Sequence, residues 1–240
     1  MKICVAQTRP VRGDVQSNID DHKRLIELAC FHGVEIIIFP ELSLTGYEPE
    51  LAKKLATDIN DSRFDDFQKI SDVEKIIIGV GMPTKGNSGI LINMIIFNPC
   101  KPRQIYSKQY LHSDEVPYFI NAEHQSFLIK DKIALAICYE LSVPEHSENA
   151  HKSGAEIYVA SVAKTIDGVE KAIKTLSDIA NKYSMTALMS NCIGPCDNFE
   201  SAGKTSIWNN NGALVSQLND TNEGILIIDT STQKVIKETI

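Results

Sequence analysis

The strand-like runs Glu35–Phe39, Lys132–Ile137 and Glu156–Val162 are nearly continuous in β-branched or apolar residues, not apolar at alternate positions. A strand with one wet face alternates, whereas a continuous apolar run belongs to a strand covered on both faces. Helices must therefore flank the sheets that these strands build. Further strand-like runs at Ile3–Ala6, Lys75–Val80, Ile90–Phe97, Thr186–Met189, Thr205–Trp208 and Gly224–Ile228 supply enough strands for two sheets.

Helical stretches lie between several of these runs. Ser17 is a candidate N-cap for a helix over Asn18–His32, with Gly33 as its stop. Others are expected over Glu50 to Ile70, from Pro144 to Ser153 with Gly154 closing it, and over Val169 to Ser184. In the last, Ile173, Leu176, Ile179, Ala180 and Tyr183 share one face, which reads as core packing. Two hairpins are expected: one turning at Lys130-Asp131 between Ser126–Ile129 and Lys132–Ile137, the other through Asn209-Asn210-Asn211-Gly212. No linker-like or repeated tract divides the 240 residues, so one α/β domain over 1–240 is expected.

A net charge of -7 opposes general attraction to phosphate backbones, so no nucleic-acid partner is expected. No segment has the uninterrupted apolar length of a membrane span, and the first residues lack the apolar core of a signal peptide. The six scattered cysteines need no disulfide framework in a chain long enough to bury a core. These features suit a reducing cytoplasm.

Three segments place polar groups where an α/β fold exposes them, just past buried strands. Glu41 follows Ile36-Ile37-Ile38-Phe39-Pro40; Cys138 ends Ile133–Ile137 shortly before a helix expected at Pro144; Lys108 lies in Tyr106-Ser107-Lys108-Gln109-Tyr110-Leu111. A cysteine at such a strand-to-helix elbow can expose its sulfur while the backbone N–H of Tyr139 meets a developing oxyanion. An ammonium beside the thiol favours the thiolate. Taken singly, each has a plainer explanation: a small buried hydrophobe, a turn cap or a solvated charge.

Together the segments Phe39-Pro40-Glu41-Leu42-Ser43-Leu44-Thr45-Gly46-Tyr47, Tyr106–Leu111 and Cys138-Tyr139-Glu140, in that order, resemble the nitrilase superfamily of carbon-nitrogen hydrolases, amidase-like branch. Looser landmarks at Gly154-Ala155-Glu156, Asn191-Cys192-Ile193-Gly194 and Gly203-Lys204-Thr205-Ser206 extend the resemblance along nearly the whole chain. The resemblance implies a four-layer α-β-β-α sandwich with two mixed β-sheets. It also implies Glu41 as general base, Lys108 as transition-state stabiliser, Cys138 as nucleophile forming a thioester, and Glu115 as a second glutamate. Tyr47, His112, Ser161 and Val162 are the candidate substrate-binding residues. No metal or organic cofactor is called for, and a homodimer or higher homo-oligomer is expected.

Two departures bear on substrate. The aspartate common after the Cys-Tyr pair is Glu140 here, and the arginine that often follows is Leu141, which disfavours dicarboxylate monoamides. Asn121-Ala122 stands where a glycine is common. The expected reaction is hydrolysis of a small linear amide or carbamoyl compound; nitrile hydrolysis, acyl transfer and a catalytically silent binding protein are the alternatives. A Cys/His scheme drawing on His22, His32, His112, His124, His146 or His151 has no supporting context. Cys192 and Cys196 lack a second pair for zinc, and Gly79-Val80-Gly81 is not a dinucleotide fingerprint.

Overall fold

A computed structural model of the chain describes residues 1–124 and 126–240, and Gln125 lies outside the described residues. The elements in chain order are β1 (Lys2–Gln7), α1 (Val15–Phe31), β2 (Ile36–Ile38), α2 (Ala52–Leu55), α3 (Asp65–Glu74), β3 (Ile77–Lys85), β4 (Ile90–Phe97) and β5 (Gln104–Ser107). The second half runs β6 (Leu128–Ile129), β7 (Ile133–Ile137), α4 (Pro144–Lys152), β8 (Ile157–Val162), α5 (Ile166–Tyr183) and β9 (Thr186–Asn191). It closes with β10 (Ile193–Cys196), β11 (Phe199–Ala202), β12 (Ser206–Trp208), β13 (Leu214–Gln217), β14 (Gly224–Asp229) and β15 (Val235–Thr239).

The strands form a seven-stranded sheet ordered β15-β14-β1-β2-β3-β4-β5, a six-stranded sheet ordered β13-β12-β9-β8-β7-β6, and the ribbon β10-β11. Each large sheet has a parallel centre, β1-β2-β3 in one and β7-β8-β9 in the other, with antiparallel margins. The continuous apolar runs are these parallel centres, as two-sided burial requires. Along β8 the side chains alternate between cores: Ile157 and Val159 join the layer between the sheets, while Tyr158, Ala160 and Val162 pack outward with α5. The first sheet's outer face packs with α1 residues Ile19, Leu25 and Ile26 and with Phe67 of α3. Two buried serines stitch the sheets together: Ser161 Oγ donates to the Phe39 carbonyl at 2.8 Å and Ser190 Oγ to the Ala6 carbonyl at 2.6 Å. The result is an α-β-β-α sandwich.

Several boundaries differ from expectation for identifiable reasons. Asp14, not Ser17, caps α1, its side chain accepting the Ser17 N–H at 3.1 Å. The helix expected over Glu50 to Ile70 is broken: past Ala56, Thr57 pairs with Thr84 at the edge of β3, and Asp61 then starts a 3₁₀ turn by accepting the Arg63 N–H. The cluster Asp58-Ile59-Asn60-Asp61-Ser62 was the loop signal. The last helix begins earlier than Val169 because Thr165 accepts the Gly168 N–H at 3.1 Å. The Lys130-Asp131 hairpin forms with both residues at positive φ, 50° and 58°, as a tight mirror-image turn demands. The β10-β11 hairpin and β15 were not foreseen.

Candidate active site

Glu41 is carried on the turn that follows β2. The Phe39 N–H donates to the Gly79 carbonyl at 2.9 Å, the Ser43 N–H to the Pro40 carbonyl at 3.2 Å, and Leu42 takes φ 50°. This turn lies flat against β3 only because Gly81 has no side chain: a Cβ there would fall 2.5 Å from the Pro40 oxygen and 2.9 Å from the Ser43 nitrogen. His22 stacks beneath it on Phe39 at 4.0 Å and bonds Ser43 Oγ through Nε2 at 2.9 Å; burial pushes this imidazole down to about 3, so it stays neutral.

Lys108 follows β5, its N–H bound to the Ile92 carbonyl at 2.9 Å and its own carbonyl accepting from the Ala122 N–H. The side chain is completely buried. Its Nζ donates to Glu41 Oε1 at 2.7 Å and Glu115 Oε1 at 2.6 Å. Burial opposes that charge, but the two carboxylates outweigh it and hold the ammonium protonated well above lysine's ordinary range. Glu115 also accepts the Tyr47 hydroxyl at 3.0 Å and the His112 backbone N–H at 2.8 Å. Glu41 meets Lys108 through Oε1; among the described residues its buried Oε2 has no partner within hydrogen-bonding geometry, and the Cys138 thiol lies beside this carboxyl. Desolvation dominates its titration and keeps the carboxyl above its usual range.

Cys138 ends β7 and takes φ 45°, a conformation that costs a non-glycine residue energy and turns it out of the strand into the 3₁₀ turn Cys138–Ser142. That turn, not α4 itself, follows the cysteine. The thiol stands beside Glu41 and donates to the Ala163 carbonyl at 3.9 Å. Burial, then the Glu41 charge, pushes it up to about 11, while Lys164 and Lys108 act in the opposite direction. At neutral pH it is a protonated thiol that needs a base. Among the described residues, that thiol has no histidine hydrogen-bonded to it.

Glu140 braces this arrangement. Its Oε2 accepts the Ile137 N–H at 2.7 Å and the Tyr106 hydroxyl at 2.7 Å, and its Oε1 accepts the Gln109 N–H at 2.5 Å. With the Tyr106 proton committed to Glu140, His146 donates to the Tyr106 oxygen through Nε2 at 2.8 Å and accepts the Tyr158 hydroxyl at Nδ1. Burial pushes the Glu140 carboxyl up to about 7, against the hydrogen bonds that favour its charge.

The structure thus gathers Glu41, Lys108, Glu115 and Cys138 at one place, with Tyr47 at its edge and Tyr139 immediately after the thiol. His112 contributes its backbone; its half-exposed imidazole lies toward Asp114 and Tyr139. Ser161 and Val162 are both fully buried, the serine donating to the Phe39 carbonyl and the valine packed outward under α5. The next residue, Ala163, borders the thiol through its carbonyl, and Lys164 follows it, at the start of the loop 163–170 on which substrate choice was expected to depend. Cys192 and Cys196 lie buried with their sulfurs 3.6 Å apart beside Ser201.

A cysteine turned out of a parallel strand toward a buried carboxylate-lysine-carboxylate cluster, on two sheets packed face to face, defines the class: an α-β-β-α sandwich protein with a cysteine-centred site. The model of the carbon-nitrogen hydrolase family matches residues 2–237, and the chain belongs to that family. It is 25% identical to the hydrolase in the agr operon of Staphylococcus aureus, over 98% of this chain and 93% of that protein. It is 24% identical to the glutamine-dependent NAD(+) synthetase of Acinetobacter baylyi, over 90% of this chain but 41% of the synthetase. A mutant amidase from Nesterenkonia sp. AN1 in complex with butyramide has the same fold, with TM-score 0.87 and 20% identity, covering 97% of this chain and 92% of that one. A second mutant of that amidase, with TM-score 0.86 at 20% identity over 95% and 90% of the two chains, shows covalent addition of the acetamide moiety of fluoroacetamide at the active site cysteine.

Proposed function

We propose that this chain hydrolyses the carbon-nitrogen bond of a small linear amide through a thioester on Cys138. The observation that carries this reading is the buried Lys108 ammonium held between Glu41 and Glu115 beside a strained, protonated thiol. A buried charge cluster is costly to maintain, and replacing it with apolar residues is often neutral or stabilising, so its retention here favours chemistry over packing. The butyramide held by the Nesterenkonia amidase mutant supports an amide substrate over a nitrile.

In this mechanism the thiol proton passes to Oε2 of Glu41 as the sulfur attacks the amide carbon. Lys108 and the Tyr139 backbone N–H stabilise the negative charge that develops on the carbonyl oxygen. Glu41 returns the proton to the nitrogen, the C–N bond breaks, and ammonia or an amine leaves behind an acyl-thioester. Glu41, again a carboxylate, then takes a proton from water as it attacks the thioester, releasing the acid and restoring the thiol. Glu115 keeps Lys108 in place and Tyr47 keeps Glu115 in place.

Mass spectrometry of protein quenched during turnover of a panel of linear amides tests this reading. The expected result is an acyl adduct on the peptide containing Cys138. An adduct elsewhere, or undiminished turnover in Cys138→Ala, rejects it.

A further inference from the structure

Lys164 is the second cation at this site, and the mechanism above does not use it. It follows Ala163, whose carbonyl lies 3.9 Å from Cys138 Sγ. Its backbone is clamped on both sides: the N–H donates to Asn191 Oδ1 at 3.0 Å, and the carbonyl accepts the Ala202 N–H at 2.9 Å and the Ser201 hydroxyl at 3.2 Å. The residue is therefore fixed at the edge of the thiol, with its side chain partly buried. Among the described residues, its ammonium is in no ion pair with any carboxylate.

Lys108 is in the opposite situation. Two carboxylates flank it, so its charge is more than cancelled before any substrate arrives. An anionic substrate approaching Cys138 meets Glu41 and Glu115 against a single ammonium, and Lys164 is what restores the balance. Among the groups favouring the thiolate, against the larger effects of burial and Glu41, it ranks ahead of Lys108. An anion bound against an ammonium that no carboxylate already neutralises gains a charge-assisted hydrogen bond. Leu141, just past the nucleophile, is buried in the outer core and offers no charge of its own.

We propose that Lys164 is a substrate-binding residue that selects small linear amides carrying a carboxylate at the end remote from the scissile amide. This rests on the amide-hydrolase reading. It also replaces the expectation drawn from Leu141, that carboxylate-bearing amides are disfavoured: the charge comes from the end of β8 in place of the nucleophile turn.

The test is kcat/KM for matched pairs of nearly equal length, glutaramate against pentanamide and succinamate against butanamide, read as the ratio of anionic to neutral substrate. The expected ratio for the unaltered protein is about tenfold or more in favour of the anion. Lys164→Arg keeps that preference, Lys164→Gln lowers the ratio by about tenfold or more, chiefly through KM, and Lys164→Glu inverts it. Thermal unfolding of each variant verifies that the fold is retained. Calorimetric binding of glutaramate and pentanamide to Cys138→Ala gives the same comparison without turnover. A ratio at or below one in the unaltered protein, or one unmoved by Lys164→Gln, overturns the assignment of Lys164 while leaving amide hydrolysis intact. An acyl adduct formed elsewhere than Cys138, or undiminished turnover in Cys138→Ala, overturns the amide reading and this inference with it.

Discussion

Glu140 and Gln109 join two parts of the site that are far apart in sequence: the Glu140 carboxylate accepts the Gln109 N–H at 2.5 Å, tying the turn that carries Cys138 to the residue after Lys108. The same carboxylate holds the Ile137 N–H and the Tyr106 hydroxyl, so one side chain sets the spacing of nucleophile and ammonium. Glu140→Gln keeps the volume but replaces one acceptor oxygen with a donor facing other donors. It is expected to cost about 1–3 kcal/mol of stability and to lower kcat by about 10- to 100-fold through misplacement. Denaturant unfolding and steady-state kinetics check both.

The same substitution changes the response to pH. Glu140 titrates near 7 in the folded protein, above its ordinary value of 4.5. A raised folded pKa means that the folded state binds the extra proton, so this group's contribution to stability is fully present below the unfolded value and is lost as pH rises through about 7. The stability gap between Glu140→Gln and the parent is therefore expected to narrow from pH 5 to pH 8, measured by urea unfolding at each pH. A gap that widens with pH counts against the assignment.

Glu41→Gln separates the base from the electrostatics. Without the carboxylate, acylation by amides is expected to fall by about 10²- to 10⁴-fold. Yet Glu41, after burial, is the main group holding the Cys138 thiol up near 11, so its removal moves the thiol downward. Alkylation by iodoacetamide, followed against pH, is expected to begin at lower pH in Glu41→Gln than in the parent. Slower alkylation at every pH would mean that Glu41 assists even that reaction as a base.

The parallel centres were legible because continuous apolar runs have one good home, between two covering layers. Glu41 and Cys138 were legible as candidates because both sit directly past such runs. Their meeting with Lys108 and Glu115 was supplied by resemblance, since no local pattern states that β2, β5 and β7 end at one place. Ser161 illustrates the limit: its proximity to the site in sequence order is real, but alternation along β8 turns it inward to Phe39. Lys164 illustrates the converse, because its closeness to Cys138 arises from β7 and β8 lying side by side in register, with Ile137 opposite Ser161. The broken helix past Ala56 was visible in its Asp and Asn cluster, which helical periodicity obscured.

Lys108→Met removes the ammonium and leaves Glu41 and Glu115 buried together. The expected cost is about 3–5 kcal/mol at neutral pH, with loss of amide turnover. The two carboxylates, now without a counter-charge, are pushed upward in the folded state, so protonating one relieves the repulsion. The deficit relative to the parent is accordingly expected to shrink as pH falls from 8 to 5, measured by urea unfolding. Glu115→Gln, which removes one of the two carboxylates, is expected to restore part of the stability in combination with Lys108→Met without restoring turnover.

Gly81→Ala tests whether backbone packing under the Glu41 turn sets the position of the base. The added methyl meets the Leu42 nitrogen, the Pro40 oxygen and the Ser43 nitrogen, all backbone atoms with no rotamer to yield. The turn must lift from β3, breaking the bonds from Leu44 N–H to the Gly81 carbonyl at 3.0 Å and from Gly81 N–H to Ser43 Oγ at 3.2 Å. Overpacking of this kind costs about 1–3 kcal/mol or more, and the displacement carries Glu41 away from Lys108 and the thiol. Thermal unfolding is expected to drop, and kcat is expected to fall by about 10²-fold while KM changes little, because a small misplacement of a catalytic group acts on the chemical step. A Gly81→Ala protein that unfolds early but keeps the parent kcat would show that the position of Glu41 is set by Lys108 alone.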